Sequence, residues 1–207
     1  QGYEYVKDRG YAFEQQLNQN TGFVLEKPLS AYKEPEQKAL IPMMILSPTV
    51  INDGRKLSIS PHRISYMNIA SEEKNKPYHK IKGIEFSRFF EDQNGENLRF
   101  TSALRMSATF PYITPNVLLP SSPSMEIMVA GLSDNFGVID GVRFLYVFKE
   151  WIKENTDGVV FIMIRDTEKE REVKVNTRRS FVQAFFTPIN SLHKNWDNIQ
   201  DINNVNL

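Results

Sequence analysis

Ser102-Ala103-Leu104-Arg105-Met106-Ser107-Ala108-Thr109-Phe110-Pro111-Tyr112-Ile113-Thr114-Pro115 leads into Asn116-Val117-Leu118-Leu119-Pro120-Ser121-Ser122-Pro123. Ser124-Met125-Glu126-Ile127-Met128-Val129-Ala130-Gly131-Leu132-Ser133-Asp134-Asn135-Phe136-Gly137-Val138-Ile139-Asp140-Gly141 follows directly. Three events succeed one another here. A helix is stopped by Phe110-Pro111, a loop is stiffened by Pro115, Pro120 and Pro123, and a short apolar strand, Met125–Val129, runs into a glycine turn. Beyond the turn, Asp140 reads as the cap of a helix over Val142–Asn155, with Leu145, Phe148 and Ile152 on one face. Asp157-Gly158 ends that helix. Val159-Val160-Phe161-Ile162-Met163-Ile164 is a continuous apolar run of strand length, the pattern of a strand buried on both faces. Strand, turn, helix and strand make a βαβ unit with an expected right-handed crossover. The fold class read from this stretch is α/β, and in that class the loops at strand ends carry the chemistry.

Towards the N-terminus, Asp8 is the expected N-cap of a helix from Tyr11 to about Leu17, with Phe13 and Leu17 on its buried face. Asn18–Gly22 closes it. Ile41–Leu46 is a second continuous apolar run, read as a strand with Pro42 at its start or on an edge. Asn52-Asp53-Gly54 is a turn signal, and Leu57–Ser60 alternates as the returning strand of a hairpin. Ser71–Pro77 is a solvated loop. Ile84, Phe86, Phe89 and Phe90 return to the core before a turn at Asp92–Gly95. A helix is expected from about Asn97 to Ser107, with Leu98, Ala103, Leu104 and Met106 as its apolar positions. At the far end, Thr167–Glu172 is charged and exposed. Phe181, Val182, Phe185 and Phe186 cluster, and a short helix is expected near Trp196. No repeat or long linker divides the chain, so residues 1–207 read as a single domain. Its central neighbouring strands are expected at Ile41–Leu46, Met125–Val129 and Val159–Ile164, with helix Val142–Asn155 covering one face.

The 207 residues suffice for one sizeable core. Lys and Arg number 25, as do Asp and Glu, so no field steers the chain towards nucleic acid, and no nucleic-acid partner is expected. There is no Cys, which excludes disulfides and thiolate metal sites. His62, His79 and His193 stand at no metal-ligand spacing, and no metal or cofactor is expected. The longest apolar runs are too short to span a bilayer. The 14 Phe and 8 Tyr fit a core, with a lipid-facing patch as the other reading.

The quoted stretch resembles the second half of bacterial patatin-like phospholipases. In that family a helix ending in Ser-Ala and Phe-Pro precedes a strand carrying Asp-Gly-Gly or Asp-Ala-Gly, followed by Asp-Asn-x-Gly. A weaker likeness is Asp8-Arg9-Gly10 before a helix. The resemblance implies part of a three-layer, mostly parallel sheet, and a Ser-Asp dyad that hydrolyses lipid esters. In such a dyad the Asp accepts the Ser proton and backbone N–H groups hold the oxyanion. Two departures stand out. Val129 occupies the position of the family Asp, in Val129-Ala130-Gly131. No Gly-x-Ser-x-Gly elbow occurs, the nearest string being Gly131-Leu132-Ser133-Asp134-Asn135.

The chain therefore reads as the C-terminal portion of a patatin-like domain, with the nucleophile-bearing half expected upstream of Gln1. By itself it is expected to be inactive. Asp134 is the nearest substitute carboxylate, with a turn-holding role as its plainer reading. Gly131, Asn135 and Gly137 are expected to shape the turn. Ser107 is more simply a helix-end hydroxyl than a nucleophile. Arg105 and Arg143 fit a phosphate head group or, more commonly, pairing with carboxylates. Arg178-Arg179 fits an anionic lipid surface or, given the mixed charges before it, a solvated face. The implied partners are a lipid ester or phospholipid in the complete protein, and the upstream half or a second copy. Location stays open, a membrane-associated bacterial protein being compatible with the resemblance. The alternative is a non-catalytic patatin-like module that binds lipid or a partner.

Overall fold

The computed structural model describes residues 7–68, 83–110, 113–134 and 136–164. The chain forms two compact units, residues 1–133 and 134–207. The expected features at Ser71–Pro77, Asn135, Thr167–Glu172, Arg178-Arg179, Phe181–Phe186 and Trp196 lie outside the described residues. Among the described residues there are seven α-helices and one five-stranded mixed sheet, so the α/β class holds.

The first helix, α1 (Arg9–Asn20), begins where the sequence places it. Asp8 is extended and its Oδ1 accepts from Tyr11 N at 2.8 Å. Its buried face differs from the expected one. Gly10, Glu14 and Asn18 are buried, whereas Phe13 is 45 % exposed. The cause lies across the interface. Helix α2 (Lys33–Gln37) comes next in the chain, and the element that α1 packs on is α4 (Phe100–Ala108), which buries Thr101, Ser102 and Arg105. Glu14 Oε2 accepts from Ser102 Oγ at 2.8 Å and from Arg99 Nη2 at 3.1 Å, and its Oε1 accepts from Arg105 Nη1 at 3.3 Å. Arg105 Nη2 also reaches Asp8 Oδ2 at 3.0 Å. A polar partner thus selects the polar face of α1. A Cβ at Gly10 would stand 2.1 Å from Arg105 Nε and Cζ, so the guanidinium lies flat against a helix that must lack a side chain there.

The sheet is built from β1 (Thr49–Val50), β2 (Lys56–Ser58), β3 (Gly83–Glu85), β4 (Val117–Leu119) and β5 (Met125–Met128), in the order β3-β2-β1-β5-β4. Only β2 and β3 run parallel, so the expectation of a mostly parallel sheet is corrected. Short connections dictate this: tight turns join β1 to β2 and β4 to β5, and such turns permit only antiparallel neighbours. The first turn is the one expected at Asn52-Asp53-Gly54, with Gly54 at φ 74° and its N–H on Val50 O at 2.9 Å. The second carries β4 within the proline-rich stretch that had read as loop. Val50, Leu57, Ile59 and Ile127 are fully buried and meet Phe86, Phe90, Ala103 and Met106 in one core. Phe86 and Phe90 are held there by α3 (Phe86–Phe89) and the turn after it, while Phe89 is half exposed.

Three further expectations change. Ile41–Leu46 is not a strand: Met44 N donates to Glu36 Oε1 instead of a ladder, and only Leu46 bridges to Ile59. Pro42 has no N–H to give. Helix α4 starts later than expected, because Gly95–Asn97 forms its own 3₁₀ turn and residues 98–100 bond to 27–29. After α5 (Gly131–Asp134), the expected single helix is two, α6 (Val138–Val147) and α7 (Lys149–Asn155), parted at Phe148. Phe144, Leu145, Phe148 and Ile152 do share the less exposed side. Asp140 lies inside the first turn of α6, not at its cap.

Val159–Ile164 belongs to no strand among the described residues, and the βαβ unit does not form there. All five strands fall within residues 1–133. Within its own unit the run rests on α6, where the Phe161 ring fills the space over Gly141. Val160, Ile162 and Ile164 are 86, 77 and 84 % exposed.

Candidate functional site

The exit of β5 positions Val129. Thr109 O accepts from Val129 N at 3.0 Å and Ser107 O accepts from Ala130 N at 3.2 Å. The end of α4 is therefore tied to the strand exit by two backbone bonds. Leu132 N bonds to Val129 O at 3.3 Å and Ser133 N to Ala130 O at 3.0 Å, turning the strand directly into α5. Gly131 opens this helix and is not in the left-handed region, so the reversal needs no positive φ there.

Two hydroxyls border Val129. Thr49 Oγ1, on β1, lies 3.3 Å from Val129 O and 3.1 Å from Ser133 Oγ, while Ser133 Oγ lies 3.3 Å from Ala130 O. Thr49 is buried. Among the described residues no carboxylate or imidazole bonds to either hydroxyl, so neither has a base to draw its proton. Val129 offers none. Thr49 was not singled out from the sequence. Only the pairing of Thr49 with Met128 brings it here, and that pairing joins residues 79 positions apart.

Asp134 lies in the second unit and is buried. Its Oδ2 accepts from Asp140 N at 2.9 Å, which satisfies one of the open N–H groups at the start of α6. That is the turn-holding role. Gly137, the N-cap of α6, stands at φ 68° and ψ 14°, a conformation that favours glycine. Its N–H meets Asp134 O at 3.3 Å. Asp134 and Gly137 thus form one helix start, within which Asn135 lies outside the described residues.

The remaining candidates resolve individually. Arg105 pairs with Asp8 and Glu14, the commoner of its two readings. The Ser107 hydroxyl is buried and has no hydrogen-bond partner among the described residues; Thr109 Oγ1 closes the helix end instead, on Arg105 O at 2.7 Å. Among the described residues no three His, Asp or Glu gather as a metal group, and no helix is long and apolar enough to cross a membrane. No protein-family model matches the chain, and no curated protein or solved structure matches it either.

Proposed function

We propose that this chain is the C-terminal part of a patatin-like lipid acyl hydrolase, with Val129 standing where the family's proton-accepting Asp belongs. One observation carries the reading. The two sequence pieces that hold the resemblance, Ser107-Ala108-Thr109 and Val129-Ala130, are bonded backbone to backbone at the exit of an inner strand. A side chain at 129 is thereby held on a fixed main chain, as a dyad residue must be. In the complete hydrolase a carboxylate there takes the Ser proton while backbone N–H groups hold the oxyanion. Valine has no lone pair, so this chain supplies the platform without the base, and it hydrolyses no ester alone.

The same valine favours the second reading, a non-catalytic patatin-like module that binds lipid or a partner. The experiment joins the chain to a patatin-like segment bearing a Gly-x-Ser-x-Gly elbow, with Val129 kept or replaced by Asp. Hydrolysis of p-nitrophenyl butyrate and fluorophosphonate labelling are then measured. Val129→Asp is expected to raise turnover by about 10²-fold or more. In the chain by itself it is expected to cost stability, because a half-buried carboxylate finds no partner. A substituted, joined protein as inactive as the unsubstituted one overturns the acyl-hydrolase reading. So does ester turnover by the unsubstituted chain alone.

A further inference from the structure

A cavity of about 240 Å³ opens in the first unit, walled by Phe86, Phe90, Leu98, Met106, Val117 and Leu119. Glu14, Ser102, Arg105 and Asp8 also line it. There every charge already has its counter-charge. Arg105 bridges Glu14 and Asp8, and Arg99 with Ser102 occupies the other Glu14 oxygen. Two carboxylates and two guanidiniums sum to zero. An anionic or cationic head group brought into this place would meet charges that already balance and would lose its hydration. Ser102 Oγ donates to Glu14 and keeps lone pairs that accept one further hydrogen bond. The volume equals that of about eight waters at ~30 Å³ each, and so of a chain of about eight carbons.

We propose that this cavity binds a neutral, chain-like apolar molecule: an alkyl tail of about eight carbons with an uncharged hydroxyl head that donates to Ser102 Oγ. Apolar walls with a few fixed polar groups are the ordinary make-up of a small-molecule site. The proposal goes beyond the acyl-hydrolase reading and does not rest on it, since Val129 and the residues of its turn are absent from the lining.

The test titrates the full chain with 1-octanol, methyl octanoate, octanoate and octyltrimethylammonium, followed by the methyl NMR signals of Met106 and Leu119. Saturable shifts are expected with the two neutral ligands, and at least about tenfold weaker binding with the two ions. 1-Octanol is expected to bind more tightly than methyl octanoate, whose oxygens only accept and cannot pair with the Ser102 lone pairs; the reverse order overturns the head contact. Val117→Phe and Leu98→Phe, which fill the cavity from opposite elements, are each expected to weaken 1-octanol at least about tenfold. Absence of saturation with both neutral ligands overturns the site. Octanoate or the ammonium binding as tightly as 1-octanol overturns its neutrality. Unchanged 1-octanol affinity in both folded variants overturns its location. The comparison of heads in the unsubstituted chain decides the matter where a filled variant fails to fold.

Discussion

Glu14→Ala removes the centre of the α1–α4 interface. Glu14 is 1 % exposed and holds two guanidiniums and one hydroxyl. Removing one partner of a buried ion pair costs about 3–5 kcal/mol, because the remaining charge is stranded. Two features place this case at the low end. The Arg99 side chain is 21 % exposed, so water screens it. Arg105 also keeps Asp8. The expected loss is therefore about 3 kcal/mol, or a fall in melting temperature of roughly 6–12 °C for a chain of this size. Trp151 lies in the second unit, so its fluorescence is the wrong probe. Urea unfolding by far-ultraviolet circular dichroism, with hydrogen exchange of the α1 amides, reads the right place. Glu14→Met combined with Arg105→Met should cost less than the sum of the two single changes, since both charges leave together. A loss below about 1 kcal/mol for Glu14→Ala, or strict additivity in the double variant, refutes the account of this interface.

Gly10→Ala should destabilise, although alanine is the better helix former, because its Cβ collides with the Arg105 guanidinium; a loss of about 1–3 kcal/mol in urea melts is expected. Thr49→Val should cost about 1 kcal/mol, by loss of the hydroxyl contacts to Val129 O and Ser133, and speed exchange at the Leu132 amide. The Glu36 carboxyl is pushed above its ordinary value by burial, against the lowering effects of Met44 N and of His62 at 3.2 Å. A raised carboxyl favours the folded state below its ordinary value of 4.5 and loses that contribution as pH rises through the raised value. Glu36→Gln should therefore flatten the fall in thermal stability as pH rises above the ordinary value of 4.5; an unchanged slope refutes the assignment.

What could be read from the sequence was local. Asp8 as a cap, Asn52-Asp53-Gly54 as a turn and Phe110-Pro111 as a helix stop each depend on a few neighbouring residues, and each is found where expected or within one or two residues of it. Apolar runs were the misleading signal. Ile41–Leu46 and Val159–Ile164 have the composition of buried strands, but a strand requires a neighbour, and composition does not say where the neighbour is. The polar face of α1 was misread for the same reason. Phe13 and Leu17 keep a helical spacing, yet the surface facing α1 offers Arg105, Ser102 and Thr101, which no reading of α1 alone reveals. At the candidate site, Asp134 and Gly137 were legible from their turn chemistry, while Val129 stands out only through the family resemblance. Thr49 was not, because it arrives through strand pairing.

The strand order has a consequence in time. β1 pairs with β5 through Thr49–Met128, so the inner edge of the first hairpin is completed by a residue 79 positions later. At a synthesis rate of 5–20 residues per second, that interval is roughly 4–16 s. Through it the edge of Val50, fully buried in the finished protein, has only its hairpin partner. The nascent chain therefore passes through several seconds in which its central strand is an open edge, the period when a chaperone or a neighbouring chain competes most directly with β5.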